Sequence, residues 1–186
     1  MNIGIMQGRL TPPNNNKIQS FPWNNWENEF TLARNRVDLI EWTIDEHNID
    51  YNPIFKNIKK IEDLCHVNNI NVKSVTCDFL MENPFYKNKN NNIDSYFYLN
   101  KLIEKCKELK ISYIIFPLVD NGKIDNNDQE KNLIKQLVNP KIIDNLNSKI
   151  LFESDFNPIK LKKFISNFDR DFFGINYDTG NSASLG

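Results

Sequence analysis

Six short apolar segments, rich in β-branched and aromatic residues, recur along the chain at a nearly constant distance. They begin near residues 3, 38, 72, 113, 149 and 173, about 34 residues apart on average. The predicted strands are Asn2–Met6, Val37–Trp42, Val72–Cys77, Tyr113–Val119, Lys149–Phe152 and Phe173–Tyr177. An interval of this length has room for one helix and two loops between successive strands, and this repeat constrains the fold more than any other feature.

The segments between these strands carry the periodicity of helices. Apolar residues spaced three and four apart predict one helix from about Asp94 to Lys110 and another from Pro158 to Phe168, and the same pattern follows Pro53. A longer helical segment runs from Asp128 to about Asn147, and Pro140 is expected to kink or split it. Alternating strands and helices require parallel strand pairing, so the chain is predicted to be α/β.

Such a chain could form an open doubly wound sheet or a closed barrel, and the length of the repeat favours the barrel. Eight units of this length would occupy roughly 270 residues, close to the size typical of a (β/α)8 TIM barrel. The 186 residues hold about six units, and the sequence stops in the loop after the sixth strand. We therefore predict a single domain over residues 1–186 that is a partial TIM barrel, with strands seven and eight absent.

Composition excludes several classes of protein. Hydrophobic residues make up 40% of the chain and charged residues 25%, with a net charge of −1, which argues against disorder and against a nucleic-acid or membrane surface. The chain starts on a strand without a signal peptide, and its three cysteines lack a CxxC spacing, so we predict a cytoplasmic protein with reduced, mostly buried thiols. The 31 asparagines are interpreted as drift in tolerant surface loops.

Acidic residues cluster at the carboxyl ends of the predicted strands, which parallel pairing brings to one rim. In chain order the polar residues there are Gln7, Arg9, Glu41, Asp78, Asp120, Glu153, Asp155 and Asp178. An aspartate in such a place often only caps a helix or makes a turn. Glu153 is different, because a carboxylate at the end of a buried strand needs a partner charge or a metal. Asp178 on a neighbouring strand would repel it unless a cation lay between them, and Mg²⁺ or Mn²⁺ would suit these oxygens.

Six segments at these strand ends resemble, in order, the xylose isomerase-like TIM barrels. They are Met6–Leu10, Asp38–Trp42, Ser74–Asp78, Phe116–Asp120, Leu151–Glu153 and Asn176–Asn181. That superfamily contains sugar and sugar-phosphate isomerases and epimerases and also endonuclease IV. The resemblance covers the whole chain but only the first six of the family's eight units.

The resemblance implies a divalent metal, Mn²⁺, Mg²⁺, Co²⁺ or Zn²⁺, with Glu153 and Asp178 as its first two ligands. The other two, a His and a Glu from strands seven and eight, would follow Gly186. The implied reaction moves a proton next to the carbonyl of a sugar or sugar phosphate through an enediolate, with Glu153 as one of two catalytic glutamates.

The resemblance also suggests residues that bind substrate. Glu41 corresponds to an acid that contacts a substrate hydroxyl, although it could equally be a buried acid paired with Arg9. Asn181 stands where many relatives have a histidine, so it can hydrogen-bond a sugar but not carry a proton. Gln7, Arg9 and Asp78 complete the predicted substrate site.

Two other functions remain open from the sequence. Endonuclease IV-like DNA repair is disfavoured, because neither His47 nor His66 lies at a strand end and the net charge is −1. A non-catalytic partial barrel could instead bind a polyol or persist as a homo-oligomer. The six glycines form no GxGxxG or GxxxxGK spacing, so no phosphate-binding loop is predicted within the chain.

Overall fold

The computed structural model describes residues 2–12, 20–87 and 91–180, and it confirms the predicted α/β architecture. The strands are β1 (Gly4–Met6), β2 (Leu39–Ile44), β3 (Asn71–Cys77), β4 (Tyr113–Leu118), β5 (Lys149–Ser154) and β6 (Phe173–Ile175). They form one sheet in the order β1-β2-β3-β4-β5-β6, and every neighbouring pair is parallel. This sequential order is that of the first six strands of a TIM barrel.

The helices of the described residues lie between the strands in chain order. They are α1 (Trp26–Ala33), α2 (Pro53–Lys56), α3 (Ile58–Asn68), α4 (Asp78–Glu82), α5 (Ser95–Leu109), α6 (Asn127–Leu137), α7 (Pro140–Ile143) and α8 (Pro158–Ile165). Helix α5 matches its prediction to within one residue at each end, and the predicted split at Pro140 is confirmed. Neither α1 nor α4 was predicted, and β2 extends to Ile44, so Glu41 lies within that strand rather than near its end.

Asparagine side chains define where several of these helices begin. In five of them an asparagine N-cap accepts, through its side chain, a hydrogen bond from a backbone N–H of the first turn, and these caps are Asn52, Asn57, Asn126, Asn139 and Asn157. Asn57 also explains why the helix predicted after Pro53 is divided into α2 and α3. Drift in surface loops is thus the wrong interpretation for these five asparagines, because each satisfies an otherwise unbonded donor.

The two faces of the sheet differ in chemistry. Strand register places Met6, Glu41 and Ser74 side by side, and it places Pro117 opposite Glu153. Since side chains alternate along a strand, these residues share the face that a barrel turns inward. Their strand neighbours form an apolar core on the helix-bearing face: Ile40, Trp42, Val75, Ile114, Phe116, Ile150 and Phe152, each at most 1% exposed. The inner face is therefore mixed and includes polar side chains such as Glu41, Ser74 and Glu153, whereas the outer face is packed with apolar side chains.

Cys77 and Cys106 are buried, Cys65 is half-buried, and all three are free thiols, as predicted. Within the described ranges, no helix has the length and apolar character needed to cross a membrane.

The outer strands predict how the 186-residue chain behaves by itself. In the described sheet β1 and β6 each pair on one side, and Ile175 at the β6 edge is 42% exposed. Because unpaired edges bearing apolar side chains template association, we expect the isolated chain to form dimers or larger species at micromolar concentration. Light scattering after size exclusion measures this against the 21.9 kDa monomer.

A matched pair of variants tests the cause of this association. Ile175→Lys should shift the chain toward monomer, because an edge lysine disfavours strand addition. Ile159→Lys introduces the same charge on α8 at a side chain that is 85% exposed but lies on a helix rather than on the sheet edge, and it should change little. A monodisperse wild-type monomer, or equal effects of the two lysines, would contradict the prediction.

Candidate active site at the carboxyl ends of the strands

One cavity of about 360 Å³ opens where the strands end. Its lining combines acids, one arginine and apolar walls: Met6, Arg9, Thr76, Asp78, Met81, Pro117, Val119, Asp120, Glu153 and Asp178. The residues come from the ends of β1, β3, β4 and β5 and from the segments that follow them and β6. The cavity thus lies where barrels and open parallel sheets both build their sites.

Glu153 is held in place by the neighbouring strand. It is half-buried near the end of β5, and Asn176 donates from Nδ2 to its Oε2 at 2.9 Å. The β5–β6 register pairs Phe152 with Ile175, so continuing it places Asn176, not Asp178, beside Glu153. The contribution of Asn176 was missed in the sequence analysis, although this strand alignment could have revealed it.

Asp178 faces the same cavity from the segment after β6. Its Oδ1 accepts a 2.7 Å hydrogen bond from the Gly180 backbone N–H, which fixes the carboxylate in a tight turn. From the sequence, Asp178 was predicted on the strand that neighbours that of Glu153. The structure brings both carboxylates to one cavity, with Asp178 two residues further along its segment than the position opposite Glu153.

Asp78 is the most deeply buried acid of the cavity. It is the first residue of α4 and is 5% exposed, and Thr76 Oγ1 contacts its Oδ1 at 3.4 Å. Its Oδ2 has no hydrogen-bond partner among the described residues. Burial, and after it the charges of Glu82, Asp45 and Glu153, raise the pKa of Asp78 to about 7. Asp78 therefore lines the cavity and has one carboxylate oxygen without a hydrogen-bond partner among the described residues.

Arg9 supplies a cation to this acidic lining. It follows Gly8, which adopts a positive φ of 85° and lies so close to Ser20 that a Cβ would approach the Ser20 carbonyl oxygen to 2.9 Å. Within the described ranges the guanidinium forms no ion pair, and the side chain is exposed. A guanidinium in this position can donate hydrogen bonds to oxygens of a bound molecule.

Gln7 and Glu41 lie outside the lining of this cavity in the part of the chain that the structure describes. Gln7 is 3% exposed and its Oε1 accepts from the Thr43 N–H at 3.3 Å. Glu41 accepts a 2.7 Å hydrogen bond from Ser74 Oγ, and burial raises its pKa. The alternative pairing of Glu41 with Arg9 is absent among the described ion pairs. Asn181 lies outside the described residues.

The described residues bring together few side chains that could bind a metal ion. They contain no cluster of three or more His, Cys, Asp and Glu side chains that could hold an ion. His47 is exposed beside Asn48, and His66 lies on α3, so neither lines the cavity. Glu153 and Asp178 thus provide two carboxylate donors without a third ligand from these ranges.

Fold and cavity together define the class: this is an α/β chain of the TIM-barrel type with an acidic site at the strand ends. No family model and no curated protein matches it in sequence. Among solved structures it is similar to a xylose isomerase domain protein from Planctomyces limnophilus, with 11% identity and a TM-score of 0.64. That match covers 97% of this chain and 62% of the other, so the chain spans slightly less than two thirds of that protein.

Two further structures show the same likeness. IolI, solved with a zinc atom, has 15% identity and a TM-score of 0.63, covering 100% of this chain and 66% of that one. D-Psicose 3-epimerase from Clostridium cellulolyticum H10, solved with D-tagatose, has 12% identity and a TM-score of 0.63, covering 100% and 70%. At these identities the likeness shows the fold alone, that of a partial TIM barrel, and the resemblance predicted from the sequence is confirmed at the level of the fold.

Proposed function

We propose that this chain forms the larger part of a metal-dependent isomerase or epimerase of a sugar or sugar phosphate. The observation that carries the proposal is that Glu153 and Asp178, from two neighbouring strand ends, line one cavity. The structures of IolI with zinc and of D-psicose 3-epimerase with D-tagatose support the metal and the substrate class. The three unbridged cysteines support a cytoplasmic location.

The donor chemistry of the cavity fits a divalent metal in part. Carboxylate oxygens suit Mg²⁺ and Mn²⁺, and Zn²⁺ or Co²⁺ would favour additional nitrogen ligands. Glu153 and Asp178 would hold the ion, and the proposal places the remaining ligands outside the described ranges. When bound, a divalent ion would polarise the carbonyl oxygen of the sugar.

The chain's own residues have separate functions in this proposal. Glu153 transfers the proton on the carbon next to the carbonyl, and the hydrogen bond from Asn176 orients its carboxylate. Asp78 accepts a hydrogen bond from a sugar hydroxyl at its unsatisfied Oδ2, and Arg9 donates to another substrate oxygen. Apolar walls such as Met81 exclude water around the reacting carbon.

Three of the residues named from the sequence are proposed to act around this centre. Gln7 and Glu41 would stabilise the strands beneath the cavity through their hydrogen bonds to Thr43 and Ser74. Asn181 would hydrogen-bond a sugar hydroxyl, as the resemblance implies.

Solvent exchange tests the assignment of Glu153. Full-length protein in D₂O is incubated with ketoses and ketose phosphates, with a chelator and then with added Mn²⁺, and deuterium incorporation next to the carbonyl is followed by NMR. Glu153→Gln should slow exchange by about 100-fold or more, since positioned acid–base groups contribute about this much. Glu104→Gln, an exposed site on α5, is the matched control.

Each outcome separates the candidates. Equal exchange by Glu153→Gln and wild type would refute the catalytic role of Glu153. Binding of a polyol without exchange, with or without metal, would favour the non-catalytic barrel instead.

A further inference from the structure

Glu29 is a buried acid on α1 that the sequence analysis did not single out. Its side chain is 1% exposed, yet it lies on a surface helix of eight residues. A buried carboxylate is costly unless donors compensate it. Among the described residues, the side-chain hydrogen bonds of Glu29 are all accepted from the loop that joins β1 to α1, so this acid stabilises the loop rather than its own helix.

The hydrogen bonds of Glu29 enclose one position of that loop. The Gly8 N–H donates to Oε2 at 2.8 Å and to Oε1 at 3.0 Å, and the Leu10 N–H donates to Oε1 at 3.2 Å. The Thr11 hydroxyl donates to Oε1 at 3.0 Å. Arg9 lies between the two bound amides, so the backbone on both sides of it is fixed by a single carboxylate.

The direction of the Arg9 side chain depends on that backbone. Arg9 lines the cavity but, in the described ranges, forms no ion pair that would hold its guanidinium there. It is also the sole cation of the described lining, facing four carboxylates. For an exposed arginine without an ion-pair partner, a fixed main chain restricts the region that the guanidinium can reach, although the side-chain rotamers remain free.

We propose that Glu29 is a positioning residue, which fixes the Gly8–Thr11 loop and so holds the Arg9 guanidinium at the cavity to donate to a substrate oxygen. The donation from Arg9 to a substrate oxygen rests on the proposed sugar-binding function. The ordering of Arg9 by Glu29 concerns the chain alone. The two can therefore be tested separately.

The first measurement follows Arg9 itself. In full-length protein labelled with ¹⁵N-arginine, the Arg9 Nε–H signal is assigned by its loss in Arg9→Lys, and its ¹⁵N relaxation reports order on the nanosecond timescale. Glu29→Gln keeps the size but turns one acceptor into a donor that faces N–H groups, so the Arg9 signal should become markedly more mobile. Glu27→Gln, the same change two residues earlier at an exposed acid, should leave it unchanged.

The second measurement uses the ketose or ketose phosphate that exchanges fastest. Glu29→Gln and Arg9→Ala should each raise KM about tenfold with little change in kcat, as expected when uniform binding is lost. The double variant should bind no worse than Arg9→Ala alone, because Glu29 acts through Arg9. Thr11→Val removes one donor and leaves the charge, and it should give a smaller shift in the same direction if Glu29→Gln folds poorly.

The results distinguish the two proposals. A lowered Tm with unchanged Arg9 relaxation would refute the positioning role and leave Glu29 a stabiliser of the loop. Additive effects of Glu29→Gln and Arg9→Ala on KM would refute it as well. If the wild type shows neither proton exchange nor binding with any of these sugars, the proposed function fails. The relaxation data still decide whether Glu29 orders Arg9.

Discussion

Replacing Asp78 with asparagine is expected to stabilise the chain at pH 8 by a few kcal/mol and to have much less effect at pH 4. The raised pKa of Asp78, about 7, follows first from burial and then from neighbouring carboxylates. Its ordinary value is 3.8. Between about pH 4 and pH 7 the folded chain keeps a proton that the unfolded chain has released, so stability falls as pH rises through this window.

Urea unfolding at pH 4, 5.5 and 8 measures this difference, with a chelator present to remove divalent ions. The asparagine side chain of the variant would carry no charge at any of these values, so the stability of wild type relative to Asp78→Asn should decline from pH 4 to pH 8. Asp120→Asn removes a charge from the exposed rim of the same cavity and controls for net charge. A difference that does not vary with pH would show that the pKa of Asp78 is the same in the folded and the unfolded chain.

Replacing Phe152 with alanine is expected to destabilise the fold by about 4 kcal/mol. Phe152 is 0% exposed on the helix-bearing face of β5. Four rings surround it at centroid distances of 4.9 Å (Phe168), 5.0 Å (Phe164), 5.7 Å (Phe116) and 6.0 Å (Phe173). Truncation would remove the centre of this cluster and leave a cavity among the surrounding side chains.

Chemical denaturation at low protein concentration measures the loss, which corresponds to roughly a thousandfold change in the unfolding equilibrium. Phe97→Ala on α5 provides the matched control, because that ring is 55% exposed and should cost under about 1 kcal/mol. A loss below about 2 kcal/mol for Phe152→Ala would mean that the surrounding rings close over the gap.

The sequence predicted the order and direction of the strands because their signal is strongly periodic. Long amphipathic helices such as α5 were predicted for the same reason. There are physical reasons why the other two helices, α1 and α4, were not predicted. Helix α4 has five residues, too few for a period to show. Helix α1 buries Glu29, and a buried acid breaks the apolar stripe by which a surface helix is recognised.

The candidate site was predictable in outline, but the hydrogen-bond partners of its residues were not. Acids after parallel strands must reach a common rim, so the shared cavity of Glu153 and Asp178 followed from topology alone. Which side chain forms a hydrogen bond with which depends on the strand register to within one residue, and the periodicity of the sequence does not determine that register. For this reason Asn176 was missed beside Glu153, and Glu41, placed within β2 by the longer strand, bonds Ser74 rather than Arg9.

The contrast between the two faces of the sheet bears on how such a protein can change over evolutionary time. Packing energy resides mainly on the helix-bearing face, in residues such as Phe152 and Trp42. The residues proposed to bind substrate lie on the opposite face and in the segments beyond the strand ends. If the proposed function holds, a substitution at Arg9 would alter which molecule is accepted while the packed face is unchanged, so descendants of one ancestral chain could diverge in substrate without first acquiring compensating stability.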